Sequence, residues 1–530
     1  MAGVDMADGA QANPVDGGGT TSLDFAASRD ALLRSPTPDL MFQTGDAFFA
    51  ARRGDEAICL ILEVASRLPD EWLLALAGVT VVLRYTIRYD VADSLLDIAL
   101  RCRPDVVVGQ GLRAHVRMLK GDVAGGCALF SALLQRYPDQ RAAICEQMSM
   151  SFLEIGYPME SLKILRSHLE TGPATAAILA NVGCSLERLN RSAEALPWFE
   201  KAIALDSTQS ETRFAYVYTL LKAGRLREAW PLYFERALSV LDGAAWYLSL
   251  PRLHPGDEIA GRGVILFYEQ ALGDTLQFIR FVPDLLAKGA RVTILVPRPL
   301  VRLLAQSYPE AQVREIDGFG WEDGYDYAAP IPDLPYIGGA MSLREIPAPI
   351  PYLRADPGDI ARFAALLPER RPRIGLVWAG ERRAKCEQMQ MDLRRSTTLA
   401  ALGAAMTPVD ATLVSLQFGG PRGEIAGWAG QALCDPMGSV RDMADTAAIM
   451  ANLDLVISVD TSPVHLAGAV GCPVWMISRQ DACWRWGDAG GRSPWYPEMR
   501  LFRARERSLA PVLQEVGTAL RTWVDTWRPS

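Results

Sequence analysis

Leu453-Asp454-Leu455-Val456-Ile457-Ser458-Val459, followed at once by Asp460-Thr461-Ser462-Pro463-Val464-His465-Leu466-Ala467-Gly468, decides the fold of the carboxyl-terminal half. The first seven residues are apolar, rich in β-branched side chains and short enough for one buried strand. Thr461 or Ser462 suits the cap of a following helix, Pro463 suits its first turn, and His465 then lies on that turn. The segment reads strand, sharp polar turn, helix. In an open parallel sheet ligands bind at such carboxyl ends, where helix N-termini offer N–H groups to anions. An ordinary capped helix with His465 packed against the sheet is the other reading of the same residues.

A second corner of this kind lies upstream. Gly263-Val264-Ile265-Leu266-Phe267-Tyr268 reads as a strand and Glu269-Gln270-Ala271-Leu272-Gly273-Asp274-Thr275 as a loop. A helix is expected next, with Leu276, Ile279, Val282 and Leu286 on one face. Gly273 would allow a tight turn there, and Asp274 at the helix entrance is either a cap or a reactive carboxylate.

Further strands are expected at Arg291–Val296, Arg373–Trp378, Thr412–Leu416 and Pro473–Ile477, alternating with helices, and a last helix from about Leu509 to Trp527. Residues 251–355 and 356–530 thus read as two doubly wound α/β domains joined by a Pro-rich crossing, with one corner from each facing a cleft. Residues 38–250 read as helical and repeated. Pro69, Pro104 and Pro138 fall 35 and 34 residues apart, and Ala195 and Ala229 fall 34 apart inside similar phrases. That period belongs to the tetratricopeptide repeat, here about six units, with those between Pro104 and Pro173 degraded. Gly45 with Ala57, and Gly183 with Ala195, are expected where paired helices cross, filled in by Phe48 and Phe199. Such an array is expected to fold through neighbour contacts alone and to bind a protein partner. Residues 1–37, rich in Gly, Ala, Asp, Ser and Thr, are expected to be disordered.

The net charge of −8 and pI near 5.3 oppose nucleic-acid binding. Nine cysteines without a CxxC pair oppose a zinc site or disulfide framework, and no basic residue precedes Arg29 to mark a secretory signal. No apolar run reaches the length of a membrane span, so a cytoplasmic protein is expected.

Taken together, the phrases Glu269–Phe278, Pro351–Asp356, Gly375–Gly380, Asp445–Ile449, Asp460–Gly468 and Ser493–Pro497 make the chain, from about residue 40, resemble bacterial tetratricopeptide-repeat glycosyltransferases. The catalytic half of that family is similar to ADP-heptose:lipopolysaccharide heptosyltransferases (glycosyltransferase family 9) and, more distantly, to protein O-GlcNAc transferase. The resemblance implies a GT-B fold of two Rossmann-like domains with a terminal crossover helix. It makes Asp274 the catalytic base and turns Asp460, Thr461, Ser462 and His465 toward a nucleotide-sugar donor. It implies no cofactor and no metal, since N–H groups and cations can stabilise the departing phosphate, and transfer with inversion. The acceptor would be a hydroxyl on a protein such as flagellin, or on a surface glycan, recruited by the repeats.

The chain departs from that pattern at Gly380-Glu381-Arg382-Arg383 and at Phe418, where relatives carry Gly-Asn-Pro and a lysine. Arg394 and Arg395 can supply phosphate-binding charge with Ser396 as a helix cap, or form a solvated basic surface. Trp484 and Trp486, flanking Arg485, either wall a nucleotide site or belong to the core. Asp274 and His465 favour an enzyme; the Arg382 region and Phe418 favour a catalytically weak or inactive adaptor that scaffolds a glycan or protein assembly. An epimerase on the same fold sits poorly with a long repeat array.

Overall fold

The structure is a computed structural model that describes residues 25–238, 245–347, 349–383 and 386–528. Of the segment expected to lack structure, residues 1–24 lie outside the described residues. Phe25–Arg34 instead forms helix α1, whose Leu32 is fully buried and whose Phe25 ring meets Phe48 edge-on at 5.1 Å. An apolar face on a short stretch overrides its polar surroundings once a neighbour covers it.

Twelve helices follow as six antiparallel pairs: α2 (Pro38–Ala50) with α3 (Gly54–Arg67), α4 (Trp72–Tyr85) with α5 (Tyr89–Cys102), and α6 (Val107–Leu119) with α7 (Val123–Arg136). Then come α8 (Arg141–Glu154) with α9 (Pro158–Leu169), α10 (Ala176–Arg188) with α11 (Ser192–Leu205), and α12 (Ser210–Lys222) with α13 (Leu226–Phe234). This is the expected tetratricopeptide-type array. The repeats between Pro104 and Pro173 are regular in structure despite their weak sequence signal. Gly126 explains how: a Cβ there would lie 2.8 Å from the Ala114 carbonyl oxygen, so α6 and α7 cross too closely even for alanine. Gly183 meets Phe199 of its own pair, as expected, whereas Gly45 makes room for Val81 of the next pair rather than for the helix of Ala57.

The remaining chain builds two parallel sheets. In the first, β1 (Gly263–Phe267), β2 (Arg291–Val296), β3 (Gln312–Glu315) and β4 (Tyr327–Pro330) take the order β3-β2-β1-β4, with Val264 paired to both Val292 and Tyr327. Helices α14 (Leu272–Phe278), α15 (Val282–Ala287), α16 (Arg298–Ser307) and α17 (Leu334–Ile337) connect them, and α18 (Pro357–Ala364) leads on. The second sheet has β5 (Arg373–Val377), β6 (Thr412–Ser415), β7 (Leu433–Cys434), β8 (Leu455–Val459), β9 (Val474–Ser478) and β10 (Met499–Arg503), ordered β10-β9-β8-β5-β6-β7. Its helices are α19 (Cys386–Arg395), α20 (Leu399–Met406), α21 (Met443–Met450), α22 (Ser462–Val470) and the terminal α23 (Ala510–Thr526). The central strands β1, β5, β8 and β9 are buried along their whole length, which is why they read as continuous apolar runs. No helix among the described residues is long and apolar enough to cross a membrane.

The array does not stand apart from the sheets. Leu220, Trp230 and Tyr233 of α12 and α13 share one hydrophobic core with Leu266, Phe278 and Trp484. Trp230 Nε1 donates to the Ala340 carbonyl at 2.9 Å, Ser192 Oγ donates to Asp488 at 2.7 Å, and Arg507 Nε donates to the Ile155 carbonyl at 3.0 Å. Arg236, just past α13, lies buried between Glu269 and Asp333. The array thus packs against the sheets as well as against its own neighbours, so neighbour contacts are not its whole support.

Candidate functional site

Each sheet reverses its strand order at one point, and a corner emerges from each. In the first sheet the reversal lies at β1, flanked by β2 and β4; in the second it lies between β5 and β8. Ligands collect at such switch points because the connections on either side diverge and leave a crevice. The β1 corner divides its labour. Glu269 faces backwards and pairs with Arg236, while Gln270 borders the cavity and its Nε2 donates to the Tyr233 hydroxyl at 2.7 Å. Gly273 and Asp274 face forwards.

Helix α14 begins at Leu272, earlier than expected, so Gly273 sits in its first turn rather than in a tight loop. Asp274 Oδ2 accepts the Ala271 N–H at 3.2 Å, half of a capping box. Asp274 Oδ1 is ion-paired with Arg485, whose Nε also donates to Gln277 Oε1 at 2.8 Å. Gly273 is required for a different reason than a turn. A Cβ there would lie 2.9 Å from Cδ2 of His465, so the missing side chain lets the two corners touch.

On the second corner Thr461 occupies the N-cap position of α22 in extended backbone, but its side chain makes no cap hydrogen bond. His465 is 5% exposed. Its Nδ1 lies 3.0 Å from the Tyr496 hydroxyl, and its ring stacks on Trp486 at 5.5 Å. The core reading and the site reading of this histidine thus both hold in part: it is packed, and it borders the cavity.

That cavity, about 180 Å³, lies where array and both sheets meet. Asp274, Asp460, Thr461, Ser462, His465 and Trp484 line it, as do Arg394 and Arg395. Two expected residues do not. Ser396 instead accepts the Gly380 N–H at 3.2 Å, and the cap of α20 is Thr398, whose Oγ1 accepts from Ala401 N. Trp486 is buried behind His465 and acts as its packing surface. Phe418 is 65% exposed and is not part of the wall.

Arg394 and Arg395 are not a solvated surface; each is under a tenth exposed. Arg394 donates to the Glu154 carbonyl at 2.6 Å and to Asp481 at 3.0 Å, and Arg395 pairs with Asp392 at 2.9 Å. Burial alone would push the Asp481 carboxyl up; the Arg394 and Arg479 guanidiniums outweigh it and hold the group well below the ordinary carboxylate range. Arg394 is pulled down by its own burial, against Asp481, from a starting point high enough that it stays charged. Six arginines and five carboxylates line the cavity, so it carries little net charge, and an anionic ligand must compete for guanidiniums already paired.

The array supplies a wall that sequence reasoning missed. Glu154, Glu187, Arg188 and Tyr218 border the cavity from α8, α10 and α12. No spacing signal marks them, because solenoid helices look alike whichever face they turn inward. The roles of Arg485 and Asp481 were equally hidden, since their partners lie 211 and 87 residues away.

No family model matches the chain. It is 25% identical to Protein FlbA of Caulobacter vibrioides over 82% of each chain. Among solved structures, a family 9 glycosyl transferase from Veillonella parvula is 11% identical with a TM-score of 0.34, covering 47% of this chain and 88% of that one. A tetratricopeptide repeat protein from Parabacteroides merdae is 12% identical with a TM-score of 0.29, covering 37% and 76%. The strand orders and helix pairs above, not these likenesses, define the fold.

Proposed function

We propose that the chain is a glycosyltransferase that moves a sugar from a nucleotide-sugar donor to a hydroxyl acceptor without a metal. The reading is carried by one observation: the switch-point corners of two parallel sheets meet at one cavity, a carboxylate on one and a histidine-bearing helix start on the other. In this reading the acceptor hydroxyl passes its proton to Asp274 as its oxygen bonds to the anomeric carbon, and the bond from that carbon to the donor phosphate breaks. Oδ2 is the acceptor atom, since it holds only the Ala271 N–H and a carboxylate oxygen has a second lone pair. Neutralising Asp274 uncovers the positive charge of Arg485 in the same cavity, where negative charge grows on the departing diphosphate. Asp460, Thr461, Ser462 and His465 face the donor. The array wall at Glu187, Arg188 and Tyr218 faces an acceptor protein or glycan, and the reaction takes place in the cytoplasm with inversion.

A specific observation favours a second reading, the weakly active or inactive adaptor: Arg394 and Arg395 are committed to Asp481 and Asp392 rather than open to phosphate. A thermal-shift panel of nucleotide sugars, followed by mass spectrometry of candidate acceptors, separates the two. A shift with one donor and a mass gain of one sugar supports the enzyme. A shift without transfer to any acceptor supports the adaptor, and no shift with any donor removes the donor-site assignment and favours the adaptor.

A further inference from the structure

We propose that Tyr496 is a positioning residue that fixes His465 as the tautomer carrying its proton on Nε2, the ring edge turned toward Gly273 and the cavity. The inference deepens the proposed function by assigning the hydrogen-bonding role of a donor-side residue. It begins with two phrases that the reaction leaves unused, Pro351–Asp356 and Ser493–Pro497, which meet in the core behind His465. Tyr352 Oη donates to the Leu276 carbonyl at 2.8 Å, and a carbonyl can only accept, so the Tyr352 proton is committed. Arg280 Nη2 donates to the same Tyr352 oxygen at 3.0 Å, and Arg280 Nη1 donates to the Trp495 carbonyl at 2.7 Å.

The Tyr496 hydroxyl then has two places for its own proton. Tyr352 Oη is 3.4 Å away, long for an O–H···O bond and already served by Arg280; His465 Nδ1 is 3.0 Å away. Burial, with the Tyr352 hydroxyl beside it, pushes the Tyr496 phenol well above its ordinary value, so it keeps its proton. Donation to Nδ1 leaves the ring proton on Nε2. The ring lies stacked on Trp486, and its Cδ2–Nε2 edge is turned to Gly273, where an added Cβ would lie 2.9 Å from Cδ2 and 3.4 Å from Nε2. Gly273 and His465 line the same cavity, so the Nε2–H edge faces the ligand side as a donor of a hydrogen bond, not as a base.

The chain has four histidines, which makes a long-range proton–nitrogen spectrum of histidine-labelled protein tractable, with His465→Gln assigning the signals. His168 is an internal standard, because its Nε2 lies 3.1 Å from the Pro173 carbonyl and must therefore carry the proton. At a pH where the ring signals no longer move, unliganded wild type is expected to show His465 protonated at Nε2, like His168. In Tyr496→Phe the His465 Nδ1 signal is expected to move downfield, toward a ring nitrogen that accepts no hydrogen bond. A proton on Nδ1 in wild type, or an Nδ1 signal unmoved in Tyr496→Phe, overturns the proposal; the wild-type spectrum alone decides it if the variant does not fold. Because no ligand is present, failure to bind nucleotide sugars would remove the donor-site reading and leave this one standing.

Discussion

Asp274 has two partners before any substrate arrives, Arg485 on one oxygen and the Ala271 N–H on the other. In the proposed reaction the guanidinium is left behind, charged, when the proton comes across. Asp274→Asn keeps the shape and removes the proton acceptor. Its sugar-transfer rate is expected to fall by about 10²–10⁴-fold while calorimetric donor affinity, with Arg485 no longer neutralised, does not fall; an unchanged rate would strip Asp274 of its role. Gly273 offers a sharper geometric test. The Cβ of Gly273→Ala would press on the His465 ring, which Trp486 and Tyr496 hold from behind, so relief must come from backbone shifts. A loss of about 1–3 kcal/mol by chemical denaturation is expected, typical of overpacking a filled site.

Helix α19 shows what was and was not legible at the scale of an element. Strands β1, β2, β5, β6, β8 and β9 stand out in the sequence because burial on both faces forces unbroken apolar runs. The exposed edge strand β3, with its Gln, Arg and Glu, carries no such mark. Helix α19 was hidden differently: its arginines look like surface charge until Asp481 and the Glu154 carbonyl are seen to receive Arg394. The corners were read correctly as strand, turn and helix, whereas the partners that set their electrostatics come from distant segments that no local pattern names. The α19 contact makes a pH prediction. Asp481 titrates lower in the folded protein than in the unfolded chain, where a carboxylate titrates near about 4. Its stabilisation is therefore complete at neutral pH and is lost as the pH falls below that value toward the folded one. Asp481→Asn leaves Arg394 buried without its countercharge and should cost about 3–5 kcal/mol at neutral pH. Urea denaturation at neutral and acid pH checks both points: the gap between wild type and variant should narrow in acid.

Across the whole molecule, the repeats and the sheets share one packed core at their junction. A fragment of residues 25–238 would expose the faces of Leu220, Trp230 and Tyr233 that pack on the first sheet and on Trp484. Hydrogen exchange on that fragment is expected to show protection through α2–α9 and fast exchange in α12 and α13, with both slow in the full chain. Equal protection in the two would mean that the array is autonomous after all. The position of the cavity bears also on how such chains change by descent. Among the described residues nothing before Glu154 lines it, while Glu187, Arg188 and Tyr218 are part of its wall. A recombination event that cut at the border between helices and sheets would exchange part of the cavity wall along with the repeats. The earlier repeats line no part of the cavity, yet Tyr89 of the second pair accepts from Gln390 of α19 at 3.4 Å, and α19 carries Arg394 and Arg395, so trading even these repeats reaches the cavity through that helix.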